Sequence, residues 1–177
     1  MNVSFAIWYD SGFTSIFVNY TSSPEAKYPS AINEVYVATK WVAAHGDEIN
    51  VDGKHLAVVG NSAGSNMAAV TALKTQTRRR PRVQGPDPVL AGDGRRSREI
   101  VLQRIRGRLF PRPKHDGMVL DNYVPDVAQR REVYASPLQS SIEQLQGLPP
   151  AHIQVAANVL RDDGLAYARK LDSAGWR

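Results

Sequence analysis

The chain has 177 residues, long enough for one domain with a sizeable core, and no cysteine. Without cysteine, a disulfide framework, a thiolate nucleophile and a cysteine-ligated metal are excluded. The net charge is +5, but it is unevenly spread: residues 77–114 hold eleven Arg and one Lys against three acids, a local +9, and the remainder carries −4. The residues outside that segment are therefore mildly acidic, which weakens any reading of the whole chain as a nucleic-acid binder. No stretch approaches the ~18 consecutive apolar residues of a membrane span, and the first twenty residues lack a basic region leading into a long apolar run. A soluble, cytoplasmic protein is the expectation, with no membrane partner.

In chain order, the β-branched and aromatic run "SIFVN" at 15–19 predicts a buried strand. "YTSSPEAKYPS", with two prolines and a serine pair, predicts a loop. Ser30 is a candidate cap for the helix that follows. Ile32, Val35, Tyr36 and Val42, with the small Thr39, fall on one helical face. Gly46 sits where that helix should end. "NVDGK" turns the chain, and "HLAVVG" at 55–60 predicts a second buried strand. "GNSAG" at 60–64 follows, and then "SNMAAVTALK" reads as a helix. The order strand, helix, strand, helix predicts parallel strands joined by right-handed crossovers, an α/β fold.

At about residue 77 the character of the chain changes. Residues 77–114 contain five prolines and four glycines with no sustained period, and only 97–106 could form a short basic helix. The segment is otherwise expected to be loop or disordered, outside the core. From about 115 apolar periodicity returns. "HIQVAA" at 152–157 predicts a third strand, and 164–175 a helix with Leu165, Ala168 and Leu171 on one face.

The stretch with the clearest chemistry is Gly60-Asn61-Ser62-Ala63-Gly64. A serine that attacks an ester carbonyl needs an exposed hydroxyl, a base for its proton, and N–H donors for the oxyanion. G-x-S-x-G between a strand and a helix exposes the hydroxyl, and the residue after the serine offers an N–H at the helix N-terminus. Those residues are Ser62 and Ala63. The pattern alone arises by chance in roughly one chain in twenty of this length, with glycine near 7%. The apolar strand before it and the Ala-rich helix after it therefore carry much of the weight. The competing reading is a tight strand–helix turn with an inert serine.

The flanks resemble the bacterial hormone-sensitive-lipase-like esterases of the α/β-hydrolase fold. Tyr20, Pro24, Glu25, Pro29, Trp41, Gly60, Ser62, Ala63 and Gly64 match the family's Tyr-x-x-x-Pro-Glu stretch, its proline-led helix with a tryptophan segment, and its serine elbow. The resemblance covers about 17–76 and 118–175 and implies a single, partial α/β-hydrolase domain over 1–177: a mostly parallel sheet flanked by helices. It also implies a serine hydrolase of carboxylic esters with short acyl chains. Its partner is a small-molecule ester, and no cofactor or metal is implied.

The same resemblance marks departures. The family's upstream His-Gly-Gly oxyanion stretch has no counterpart before residue 17, and Gly12 is no substitute. Asn158 stands where the family has its triad aspartate, and Asp162 and Asp163 match a later, non-catalytic acidic pair. The fold's order is Ser, Asp, His, yet only His115 and His152 follow Ser62 and both precede the acid region. His152 reads as a strand-edge histidine, and His45 and His55 as structural. Acid and base of the triad are thus assigned to none of these positions. Asn61 and Ser65 replace the family's usual Asp and Gly. The Arg-, Gly- and Pro-rich 77–114 stands where the family has an apolar core strand, the outcome expected of a reading-frame shift in a GC-rich gene. The expectation is a truncated, impaired esterase; the alternatives are a catalytically dead fragment, or a protein that uses 77–114 to bind acidic partners.

Overall fold

A computed structural model describes residues 2–7, 13–77, 100–102, 121–155 and 161–175. The run at 15–19 does form a strand, β2 (Thr14–Asn19), and it pairs antiparallel with β1 (Asn2–Ile7), in register Asn2↔Asn19 through Ile7↔Thr14. It is not the buried strand its composition predicts. None of its residues is buried, Phe17 is 66% exposed, and the pair forms a sheet of its own. The expected parallel pairing of this strand with the 55–60 strand is corrected accordingly. Only Val18 and the following Tyr20 lean onto the core.

The helix after it, α1 (Ser30–His45), buries Ala31, Ile32, Val35, Tyr36, Ala38 and Val42 along one face, as the spacing predicts. Thr39 is half-buried on that side, and its hydroxyl donates to the Val35 carbonyl at 2.9 Å. Ser30 is not its cap. The capping position is Pro29, with no side-chain bond, and Ser30 is the first helical residue. Proline fits there because the first N–H groups of a helix have no intrahelical acceptor. Gly46 ends the helix as expected, for reasons of space. Its φ is −53°, but a Cβ would lie 2.5 Å from the Val51 carbonyl oxygen and 2.6 Å from the Gly53 nitrogen. A single 3-10 turn, Gly46–Ile49, then leads to Asn50 in the left-handed region at φ 54°.

The second strand is shorter than predicted: β3 is Val58–Gly60. Asp52 accounts for the difference. Its carboxylate accepts the Lys54 backbone N–H at 2.9 Å and holds His55 Nδ1 at 2.5 Å, which folds the chain into a turn where a strand would begin. Within the basic segment, residues 100–102 correct the expected helix over 97–106 and are neither loop nor disordered. They form β4 (Ile100–Leu102), the middle strand of a three-stranded parallel sheet ordered β3-β4-β5, with β5 at Ala151–Ile153. Apart from Thr77, which closes α2, the rest of 77–114 lies outside the described residues.

The register aligns Val59, Val101 and His152 in one row, and Gly60, Leu102 and Ile153 in the next. Val58, Ala151 and Ile153 pack on a core cluster, so this sheet face meets the helices. Val59, at 51% exposure, and the exposed His152 turn the other way.

The helix α2 (Ala63–Thr77) is the centre of the packing. Met67 to Leu73 are all buried. Ala68, Ala69, Ala72 and Leu73 join Leu145, Leu148, Tyr167, Leu171 and Ala174 in one cluster, while Met67 and Val70 join Tyr28, Ala31, Ile32, Val35 and Val124 in another. A helix apolar all round is one enclosed by the fold, and its four alanines let neighbours approach closely. Burying each Val or Leu contributes about 1.5–3 kcal/mol. A short helix and the C-terminal one brace it. Ser141 caps α3 (Ile142–Leu145) in a reciprocal capping box with Gln144, seating Leu145 at 0% exposure. The predicted C-terminal helix is α4 (Arg161–Ser173). Leu171 is buried on it, Leu165 and Ala168 are half-buried, and Lys170 Nζ donates to the Leu138 carbonyl at 2.8 Å.

Candidate active site

Gly60 ends β3 and Ala63 begins α2, so Asn61 and Ser62 alone turn the chain from strand to helix. Such a turn needs the strand end and the helix start in contact. Gly60 permits it: a Cβ there would lie on the Gly64 carbonyl and 2.7 Å from the Ser65 nitrogen. Gly64 has open space around it, so the crowding falls on Gly60 alone. Ser62 in this turn lies in the left-handed region, φ 56°, where a residue with a Cβ is disfavoured by about 1–2 kcal/mol. A non-glycine residue held there marks a position whose geometry the surroundings dictate.

Serine before a helix ordinarily has an extended backbone and caps the helix with its hydroxyl. Ser62 does neither. Its carbonyl accepts the Ser65 and Asn66 N–H groups at 2.9 and 3.4 Å, and the Asn61 carbonyl accepts that of Gly64 at 2.9 Å. The first-turn donors from Gly64 onward are satisfied by the main chain. Among the groups on this exposed turn with no hydrogen-bond partner among the described residues are the Ser62 hydroxyl and the adjacent Ala63 N–H. A free hydroxyl beside a free N–H at the positive end of a helix dipole is the minimal set for attack on a carbonyl carbon with capture of the developing oxyanion.

Ser65 closes the turn. Its hydroxyl donates to the Gly60 carbonyl at 2.8 Å, and the next residue, Asn66, donates from Nδ2 to the Ala135 carbonyl at 3.1 Å. Sequence reasoning assigns Ser65 to the first helical turn and does not reveal this bond. A hydroxyl three residues after the candidate nucleophile is the only signal it leaves.

The histidines of the described residues are engaged or remote. His45 Nδ1 lies 3.0 Å from the Trp41 carbonyl, and its ring stacks on Trp41 at 5.0 Å. His55 is held by Asp52 at the end of β3 opposite the elbow, and that hydrogen bond, with the Lys54 N–H, holds the Asp52 carboxyl below its ordinary range. His152 sits two strands from Val59 in its own row, about 10 Å away at ordinary strand spacing. Asp162 and Asp163 are exposed in the first turn of α4, where carboxylates suit the helix dipole. Gly12, His115 and Asn158 lie outside the described residues. Among the described residues no group of three His, Asp or Glu side chains is gathered to hold a metal, and no helix is long and apolar enough to cross a membrane.

The profile of the α/β hydrolase fold family matches residues 7–177. Similar curated proteins include esterase LipI of Mycobacterium tuberculosis, 33% identical over 90% of this chain and 50% of its own length. Another is ethyl acetate hydrolase of Pseudomonas putida, 28% identical over 94% of this chain and 52% of that protein. Among solved structures, a thermostable esterase from Pseudomonas putida superposes with a TM-score of 0.75 at 45% identity, covering 94% of this chain and 52% of that one. The chain spans about half the length of the curated relatives it matches. The parallel sheet, the enclosed α2 and the elbow between β3 and α2 agree with these matches, and the chain belongs to the α/β-hydrolase fold family.

Proposed function

We propose that this chain carries the nucleophile of a carboxylic-ester hydrolase, with Ser62 Oγ as the attacking atom and the Ala63 N–H as one oxyanion donor. In the reaction Ser62 Oγ bonds to the ester carbonyl carbon, and its proton passes to solvent water, since no described histidine stands beside it. The carbonyl oxygen becomes an oxyanion facing Ala63 N–H. Collapse expels the alcohol, which takes a proton, and water then hydrolyses the acyl-serine. The observation that carries the reading is the left-handed Ser62, whose hydroxyl is exposed and unspent on capping. The esterase and ethyl acetate hydrolase relatives support a small ester with a short acyl chain as substrate. Hydrolysis of 4-nitrophenyl acetate by the unchanged chain and by Ser62→Ala tests it. The expected result is turnover that Ser62→Ala reduces to the buffer rate; equal rates for the two proteins would overturn the proposal.

A further inference from the structure

Ordinary helix capping defines an arrangement of the elbow that competes with the observed one. In the observed state Ser62 is left-handed and its hydroxyl makes no hydrogen bond among the described residues. In the competing state Ser62 relaxes to an extended backbone and caps α2 in the usual way, its hydroxyl accepting the N–H of Ser65. That state is free of backbone strain but spends the hydroxyl. The close approach of Gly60 to the Gly64 carbonyl does not by itself decide between them, because glycine at 60 has no Cβ to clash there in either arrangement.

What spans the turn end to end is Ser65. Its N–H donates to the Ser62 carbonyl at 2.9 Å, while its hydroxyl donates to the Gly60 carbonyl at 2.8 Å. One residue thus ties the helix both to the candidate nucleophile and to the last residue of β3. Gly60 is fixed in the sheet through its register with Leu102. The Ser65 hydroxyl therefore anchors the first turn of α2 to the sheet across Asn61 and Ser62, the arrangement that keeps Ser62 left-handed. Relaxation to the capping state would move the helix start away from Gly60 and break this bond.

Resting on the assignment of Ser62 as nucleophile, we propose that Ser65 is a positioning residue that holds Ser62 in its left-handed, uncapped state through the bond to the Gly60 carbonyl. A neutral hydrogen bond of this kind shifts a two-state equilibrium by about five- to tenfold.

The test compares the unchanged chain, Ser65→Ala, Ser65→Thr and Ser62→Ala. The probe is an ethyl fluorophosphonate, which bonds to an activated serine oxygen with loss of fluoride. The limiting rate and half-saturating concentration of adduct formation are measured, together with the melting temperature and the backbone couplings of Ser62 that report the sign of φ. Ser65→Ala is expected to lower the limiting rate about five- to tenfold, to leave half-saturation unchanged, and to shift the Ser62 couplings toward negative φ. Ser65→Thr, which keeps a hydroxyl, restores both. Unchanged rate and couplings in Ser65→Ala, or no recovery in Ser65→Thr, would overturn the role of Ser65. An adduct that survives Ser62→Ala, or no adduct in the unchanged chain, would overturn the nucleophile itself and this proposal with it. A lower melting temperature with unmoved couplings would show a stability role only and would also overturn it.

Discussion

Replacing Ser62 by glycine and by alanine tests the elbow's geometry without any substrate. At φ 56° a side chain with a Cβ costs about 1–2 kcal/mol relative to glycine. Glycine returns about 0.4–1 kcal/mol of this as extra entropy of the unfolded chain. The hydroxyl itself is exposed and makes no hydrogen bond among the described residues, so its removal changes little. Ser62→Gly should thus stabilise the chain by about 0–1.6 kcal/mol, centred near 0.8. Ser62→Ala should lie within about 0.5 kcal/mol of the unchanged protein. A chain of this size gains roughly 2–4 °C in melting temperature per kcal/mol. Equilibrium urea unfolding, with an unchanged slope, gives the difference directly. A serine that capped α2 would behave differently. Alanine would then cost about 1 kcal/mol and glycine a few tenths, so both variants would fall below the unchanged chain. That pattern would refute the left-handed, unspent serine. A gain in stability on losing Ser62, accompanied by loss of activity, is the trade expected where function rests on strain.

Other outcomes follow from the same structure. Ser140 is fully buried and its hydroxyl has no partner among the described residues, so Ser140→Ala should leave stability equal or raise it by about 1 kcal/mol in urea unfolding; a loss of that size would contradict this. Leu145→Ala, at a site with 0% exposure, should cost about 2–5 kcal/mol in the same assay, because α2, α3 and α4 meet there. Asp52 is held below its ordinary range chiefly by the His55 hydrogen bond, so its contribution to stability is present above the unfolded carboxyl value of about 4 and fades as pH falls through the lower folded value. Carboxyl titration by NMR should place Asp52 below an ordinary aspartate, and His55→Ala should raise it toward the ordinary range while the Lys54 N–H still lowers it. Tyr28 and Tyr167 are pushed up by burial, Tyr28 also by its hydrogen bond to Glu132, so their contribution is full below about pH 10 and is lost as pH rises beyond it. Ultraviolet titration should show these two phenols ionising above the ordinary tyrosine value of about 10.

The parts legible in the sequence are those set by local pattern. The apolar face of α1, the helix after the elbow and the turn at Gly60 rest on spacing and on one close contact, and both leave marks in the residue order. What escaped depended on neighbours distant in the chain. "IVL" at 100–102 lies among Arg and Glu that favour a helix, but its pairing on both sides with β3 and β5 makes it a central strand. "SIFVN" is apolar enough for a core strand, yet β1 takes its hydrogen bonds and leaves Phe17 in solvent. β3 is short because one carboxylate, Asp52, folds the residues before it into a turn. Of the site, Ser62 and Ala63 follow from the motif. The bond from Ser65 to Gly60 does not, since a hydroxyl's acceptor is a matter of three-dimensional placement.

The measurement that bears most directly on the account is peptide mapping of the chain after reaction with the fluorophosphonate probe. The account predicts one phosphonyl adduct on the peptide containing Ser62, absent in Ser62→Ala. An adduct on another serine, or an unmodified Ser62 in the folded chain at saturating probe, would contradict it.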